Sequence, residues 1–461
     1  MWDEEYDLVV VGSGLAGLSA AIEGASAGAS VVVLEKRRIV GGNTRLAAGE
    51  FSAPEDKLNL HQKLGLPPDD PEIFKEDILR GGDRVQDPEL VRILAYGAAE
   101  ALNWLLDLGL ELLPVLTKPG GHSRFRCHSI KGGGKAIVET LLQRAKERGV
   151  KVKTEHKLAD LVRERPFGGK VLGAKVETRE GEILIGARKG VILAAGGFSA
   201  DIPFRMKYNH SLGPEMRTTN HPEATGEAIR IAQSIGADVV HMDYIQLYPF
   251  SHPETGLLDR AALIPFRGPA FGLIYVSREG RRFVNELERR DVCAKRQLEL
   301  GVKPTYSIAS SDMLQRCGFS ADELERMVEK GRLVKAQSIE ELAAKLGLPP
   351  QELSAAVRRH NEFVEKGRDE EFGKPIGPEM MKMEKPPFFG LAQWPAVHHT
   401  MGGLRINKRA QVLDLWGEPI PGLLAAGEIA GGIHGANRLG GCALPDCVVF
   451  GRIAAITALS L

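Results

Sequence analysis

The chain has 461 residues with 60 basic and 60 acidic side chains, so no whole-chain field attracts nucleic acid or an anionic membrane surface. That length allows two or three domains with ample apolar surface to bury. The five cysteines (Cys127, Cys293, Cys317, Cys442, Cys447) show no CxxC pairing, which gives no support to a metal ribbon, an iron–sulfur cluster or a disulfide framework; they read as reduced thiols.

The acidic opening Met1-Trp2-Asp3-Glu4-Glu5-Tyr6 runs straight into an apolar segment, leaving no room for a basic and then apolar leader. No uninterrupted apolar run approaches the ~20 residues that span a bilayer. The expectation is a soluble, cytoplasmic protein without a transmembrane segment. The 53 glycines cluster beside apolar strands, as expected where backbone approaches a ligand closely.

Residues 6–11 form a β-branched run followed by Gly12-Ser13-Gly14-Leu15-Ala16-Gly17, a helical pattern to about Ala27, and a second run at 31–34 ending in Glu35. Strand, glycine turn, helix, strand and acid make a dinucleotide-binding βαβ unit. Gly12 serves the tight turn, Gly14 the approach of a pyrophosphate and Gly17 the packing of helix on strand. Glu35 is suited to ribose hydroxyls. Further on, Asp87-Pro88 caps a helix to about Leu108, and another helix covers 135–148. A hairpin turns at Arg179-Glu180-Gly181, and a strand at 191–194 leads into Ala195-Gly196-Gly197. Residues 242–387 change texture to helices and loops, with capping-box starts at Ser320…Glu323 and Ser338…Glu341. The first style returns at 423–425, Gly427-Glu428 and Gly440-Gly441, before a helical run to the end.

Several segments together resemble the flavoprotein subunits of the fumarate reductase and succinate dehydrogenase family, in particular its soluble flavocytochrome c and urocanate reductase branch. They are Gly41-Gly42-Asn43-Thr44, Ala194-Ala195-Gly196-Gly197-Phe198, the stretch Thr219-Asn220 to Thr225-Gly226, Arg282-Phe283-Val284-Asn285-Glu286 with Arg290-Asp291, His398-His399-Thr400-Met401-Gly402-Gly403, and Gly435-Ala436-Asn437-Arg438-Leu439-Gly440-Gly441. The resemblance implies an α/β, Rossmann-like FAD-binding domain from residues 1–241 and 391–461, with an inserted α+β capping domain at 242–390. It implies FAD contacts from Gly12, Gly14, Ala16, Gly17, Glu35, Lys36, Gly42, Asn43, Thr44, Ala47, Gly49, Ala195, Gly196, Asn220, Thr225, Gly226, His399, Gly427, Glu428, Arg438, Gly441, Ala443 and Leu444. Helices starting after Gly14 and Gly441 would face the pyrophosphate and the negative charge of a reduced flavin. Residues 36–48 hold no histidine of the kind that carries covalent FAD in the family, so noncovalent FAD is expected. Nothing in these residues matches the family's cytochrome arm or FMN-attachment domain, so an external electron donor is expected.

The same resemblance makes Arg438 and His398 the clamp on a substrate carboxylate, Arg290 the proton donor and Arg267 part of its relay. Arginine is a poor acid, with a pKa above ~12, and needs a partner that refills it. The family carboxylate three residues before the relay arginine is Ile264 here; Glu286 or Glu288 substitutes, or the acid is another group. A family histidine is replaced by Tyr248 and a hydroxyl residue by Leu263, so this half of the pocket is less suited to an anion. The expected function is reduction of a C=C bond conjugated to a carboxylate, with Arg290 or Tyr248 protonating the α-carbon. The alternatives are a dehydrogenase that introduces such a bond, similar to ketosteroid or tricarballylate dehydrogenases, or an electron-transfer subunit with no substrate.

Overall fold

The computed structural model describes residues 1–165 and 168–461. Its main sheet is built on five parallel strands in the order Pro419–Ala425, Gly181–Leu193, Glu4–Val11, Val31–Glu35, Lys151–Thr154. Val31–Glu35 is buried at every position, which explains its unbroken apolar run. Gln411–Leu413 adds an antiparallel edge, and the hairpin Lys157–Arg165/Gly168–Thr178 extends the early half of Gly181–Leu193. The carboxyl ends of four neighbouring strands run into Gly12, Glu35, Ala194-Ala195-Gly196 and Ala426-Gly427. This is the edge of an open α/β sheet at which ligands bind.

Helices close both faces. Leu15–Ser26 and Pro88–Asp107 both pack on the C-terminal helix Ala443–Ser460. Asp87 caps the second of these, its carboxylate accepting from the Glu89 and Leu90 amides at 2.9 and 3.4 Å. Among the described residues Ala443–Ser460 alone is long and apolar enough to cross a bilayer, with mean hydropathy 1.4; 61% of it is buried in the protein, as a core helix.

A second core lies under an antiparallel sheet in the order Ile245–Ser251, Phe388–Thr400, Thr305–Ser310, Ile274–Val276, with Val334–Ala336 also paired to the long strand. The expectation of helices and loops over 242–387 misses these strands. They are short, and Thr305–Ser310 is buried throughout, so no polar alternation marks them. The expected boundary at 390 falls inside Phe388–Thr400, which pairs with Thr305–Ser310 first and with Ile245–Ser251 after it. The second core also takes in Leu60, Leu116, Phe125 and Cys127, because a small sheet of Glu50–Ser52, Cys127–Ile130 and Leu112–Thr117 sits between the two units. Helix starts at Ser320 and Ser338 are as expected. The full capping box forms only at Ser320; the Glu341 carboxylate accepts from the Gln337 amide instead of that of Ser338.

Candidate active site

The glycines of the first turn do three different jobs. Gly12 has φ +106°, and a Cβ there would stand 2.3 Å from the Ala194 carbonyl oxygen; one on Gly17 would stand 1.9 Å from the Gly12 oxygen. A Cβ on Gly14 would make only ordinary contact, with Thr44 Oγ1 at 3.5 Å and the Gly41 carbonyl oxygen at 4.0 Å. The helix N-terminus there suits a phosphate. Around it the loops are tied down: the Leu15 amide donates to Thr44 Oγ1 at 3.0 Å, and the Gly41 amide to Ser13 Oγ at 2.9 Å. Ser13 Oγ in turn donates to the buried Glu35 carboxylate, which also accepts from the Arg37 amide at 2.9 Å. Lys36 donates to Thr225 Oγ1 at 3.0 Å and pairs with Glu227 at 2.7 Å.

Two adjoining cavities share Asn43, Thr44, Glu428 and Cys447, and so form one groove from the strand ends to the cap. Every residue expected at the cofactor lines this groove except Gly17 and Thr225. Gly17 packs helix on turn, in line with its place in the motif, and Thr225 holds Lys36. The groove fits FAD on its own geometry. It is elongated, has Gly14 in its wall, opens at Gly196, where a Cβ would meet nothing within 4 Å, and passes the unpartnered Nε2 of His399 on the way to the N-terminus of Ala443–Ser460.

The cap end is chemically different. Arg290 and Arg438 are 8% and 4% exposed, yet neither has a carboxylate partner among the described residues. Both guanidinium groups donate at 3.3 Å to one oxygen, Gln246 Oε1, while the Gln246 amide donates to Asn437 Oδ1 and the Arg438 carbonyl, each at 2.6 Å. Arg438 Nε has no partner. Burial, and then the neighbouring Arg290, bring the Arg438 pKa down to about 10. A buried charge without a counterion costs several kcal/mol, so this end of the groove is built to receive an anion. Burial, with both arginines adding to it, keeps His398 neutral; its Nδ1 lies 2.7 Å from Thr219 Oγ1. His399 is likewise held neutral, 3.7 Å from Glu428, whose own carboxyl is raised by burial.

Tyr248 lines the same cavity with its ring against His398 (centroids 4.8 Å apart) and under the Arg290 guanidinium at 4.9 Å. Its hydroxyl donates to the Ala262 carbonyl at 3.0 Å and burial raises its pKa. The proton is therefore committed to backbone, which counts against Tyr248 as the donor to substrate. Leu258, Leu263 and Phe266 make the adjoining wall apolar.

Arg267 does not line the cavity. It is fully buried behind it, donating to the Ser129 hydroxyl at 2.7 Å, to the Cys317 carbonyl at 3.0 Å and to the Glu50 carboxylate. Burial works against its charge, but Glu50 outweighs this and holds its pKa above the usual arginine range. The expected substitutes for the missing relay carboxylate are corrected here. Glu286 is locked in a buried cluster with Arg282 at 2.8 Å and Lys374 at 3.2 Å. Glu288 is on the surface. The carboxylate at Arg267 is Glu50, from a strand more than two hundred positions earlier in the chain. Sequence reading missed Glu50, Gln246 as the arginine bridge, and Thr219. Glu50 did carry a signal, an acid immediately after the glycine of a segment assigned to cofactor.

Comparison with known proteins agrees with this architecture. The profile of the FAD binding domain family matches residues 7–444. A urocanate reductase of Eggerthella lenta is 39% identical, the alignment covering 99% of this chain and 75% of that protein. An NADH:fumarate oxidoreductase of Klebsiella pneumoniae is 36% identical; the match covers 98% of this chain but 47% of the relative, so the chain spans about half of that longer protein. Among solved structures, the open conformation of a flavocytochrome c3 fumarate reductase superposes with a TM-score of 0.76 at 33% identity, over 100% of this chain and 79% of the other. On the profile, the identities and the fold together, the chain belongs to the FAD-binding flavoprotein oxidoreductase family that includes the fumarate and urocanate reductases.

Proposed function

We propose that the protein reduces the C=C bond of an α,β-unsaturated carboxylate, with electrons from an external reductant. The observation that carries this reading is the pair of buried, anion-free arginines, Arg290 and Arg438, at the cap end of a groove shaped for FAD. Reduced FAD supplies the hydride when bound. Arg438 and neutral His398 hold the substrate carboxylate and stabilise the negative charge that spreads into it as the β-carbon is attacked. Arg290, stacked on Tyr248 and 5.1 Å from the Phe266 ring centroid, is the better placed of the two expected proton donors, since the Tyr248 hydroxyl faces Ala262. The apolar wall of Tyr248, Leu258, Leu263 and Phe266 supports a monocarboxylate with an apolar or aromatic tail. The relatives named above act, by their names, on urocanate and fumarate, which is in keeping with this substrate class.

The test is anaerobic reoxidation of the chemically reduced flavoprotein by fumarate, urocanate, acrylate and aryl acrylates. Fast reoxidation by at least one monocarboxylate is expected, and indifference to the whole panel overturns the reading. We also propose that FAD is bound without a covalent link, as the histidine-free stretch 36–48 supports. Acid precipitation should then leave the yellow colour in the supernatant; colour in the pellet refutes it.

A further inference from the structure

Saturating a C=C bond requires a proton as well as a hydride, and the cavity offers few groups that can supply one repeatedly. His398 and His399 are held neutral by burial, and the Tyr248 proton is engaged by Ala262. Arg290 points a guanidinium into the cavity, but an arginine that has given up its proton must be recharged by a stronger acid before the next turnover. Two carboxylates line this cavity, Glu50 and Glu428. Glu428 is engaged by the amide and hydroxyl of Thr400 at 3.0 and 3.3 Å and sits where the two cavities join.

Glu50 is placed differently. One carboxylate oxygen, Oε1, accepts from Arg267 and, at 3.0 Å, from the Ser129 hydroxyl, so the group is anchored from behind. Among the described residues the other oxygen has only the weak Cys127 thiol, 3.5 Å away. Glu50 is 8% exposed, enough to reach the cavity that Arg290 also lines. The anchoring arginine belongs to the cap and the carboxylate to the small sheet between the units, so the pair ties the two together.

We propose that Glu50 is the proton-supplying carboxylate of the reaction, held by Arg267 and recharging Arg290. The inference rests on the reductase reading above. As the Arg290 N–H bond breaks, a C–H bond forms at the substrate α-carbon. The neutral guanidine is recharged through Glu50: the carboxylate takes a proton from solvent water, leaving hydroxide, and passes it to the guanidine, returning to the carboxylate paired with Arg267. Arg290 and Glu50 are not hydrogen-bonded to each other; both line the same cavity, through which the proton passes between them. The redox electrons come from the reduced flavin and its external donor, and Glu50 carries only a proton. In this scheme Glu50 acts through Arg290 and is a positioning and supply residue.

The experiment compares Glu50→Gln and Glu50→Asp with wild type as FAD-loaded full-length protein, using dithionite-reduced flavin and the best monocarboxylate of the panel. Glu50→Gln keeps the shape and the bond to Arg267 but cannot carry a proton. It should lower kcat at least about a hundredfold, within the usual range for loss of general acid–base help, with KM and FAD content near wild type and with a larger solvent deuterium effect. Glu50→Asp should recover part of the rate. Wild-type kcat in Glu50→Gln overturns the proposal, as does a raised KM at unchanged kcat, which would make Glu50 a contact for the substrate tail. Loss of FAD or of folded protein in Glu50→Gln, with Glu50→Asp equally inactive, also overturns it in favour of a structural ion pair. If wild type itself reduces no acid in the panel, it is the reductase reading that fails, and this inference falls with it.

Discussion

The two ends of the groove treat charge in opposite ways. At the Glu35 end, Lys36 is paired with Glu223 and Glu227, and Glu35 is held by Ser13 and the Arg37 amide, so the charges there are partnered within the protein and backbone and a helix N-terminus face the ligand. At the cap end, two arginines are buried with a single amide oxygen between them. The cofactor end is satisfied in itself and binds by shape; the substrate end stores an unmet need for a small anion. An arginine that is buried and unpaired is thus more informative about substrate than one merely present in a motif.

The contrast breaks most sharply at Arg438. Replacing it with alanine should reduce turnover about 30- to several-thousand-fold, the usual 2–5 kcal/mol for a buried charged partner, while FAD content stays near normal. Steady-state rates and the flavin-to-protein absorbance ratio check this together, and an unchanged rate would move the substrate site elsewhere.

The apolar wall predicts the next effect. Fumarate should be turned over about ten- to 150-fold more slowly than the best monocarboxylate, since its second carboxylate lacks one charge-assisted hydrogen bond worth about 1.5–3 kcal/mol. Tyr248→His with Leu263→Thr should narrow the gap; equal rates in wild type would leave Tyr248 as packing alone.

The cofactor end should respond to shape and not to charge. In Gly17→Ala the new methyl has no room beside the Gly12 carbonyl, and overpacking of this kind costs about 1–3 kcal/mol. FAD should bind more weakly, seen as a raised dissociation constant in flavin titration, with little change in KM for substrate in the FAD-saturated enzyme.

The smallest effect is on pH. Below pH 10 Arg438 keeps its charge, and His398 and His399 are already neutral, so KM should be flat across neutral pH. As pH rises through about 10 the guanidinium loses its proton and KM should climb, about twofold at pH 10 itself. A histidine-like inflection near pH 6.5 would contradict the buried, neutral assignment of both histidines.

Much of the cofactor end was legible in the sequence because its chemistry is local. Gly12 to Gly17 are consecutive, the helix they start is the next element, and Glu35 closes the adjacent strand, so spacing alone carries the geometry. Arg438, His398 and Arg290 could be named as candidates, but not their state of pairing. That required knowing that Gln246, from another strand, would be shared between the two arginines, and that Glu286 would be consumed by Arg282 and Lys374. Glu50 meets Arg267 across 217 positions, a contact that no periodicity or spacing encodes. Short-range hydrogen bonding and the helix dipole act within a few residues and are written in order along the chain, whereas the balance of buried charge depends on which distant side chains arrive in one low-dielectric space, and only the tertiary structure decides that.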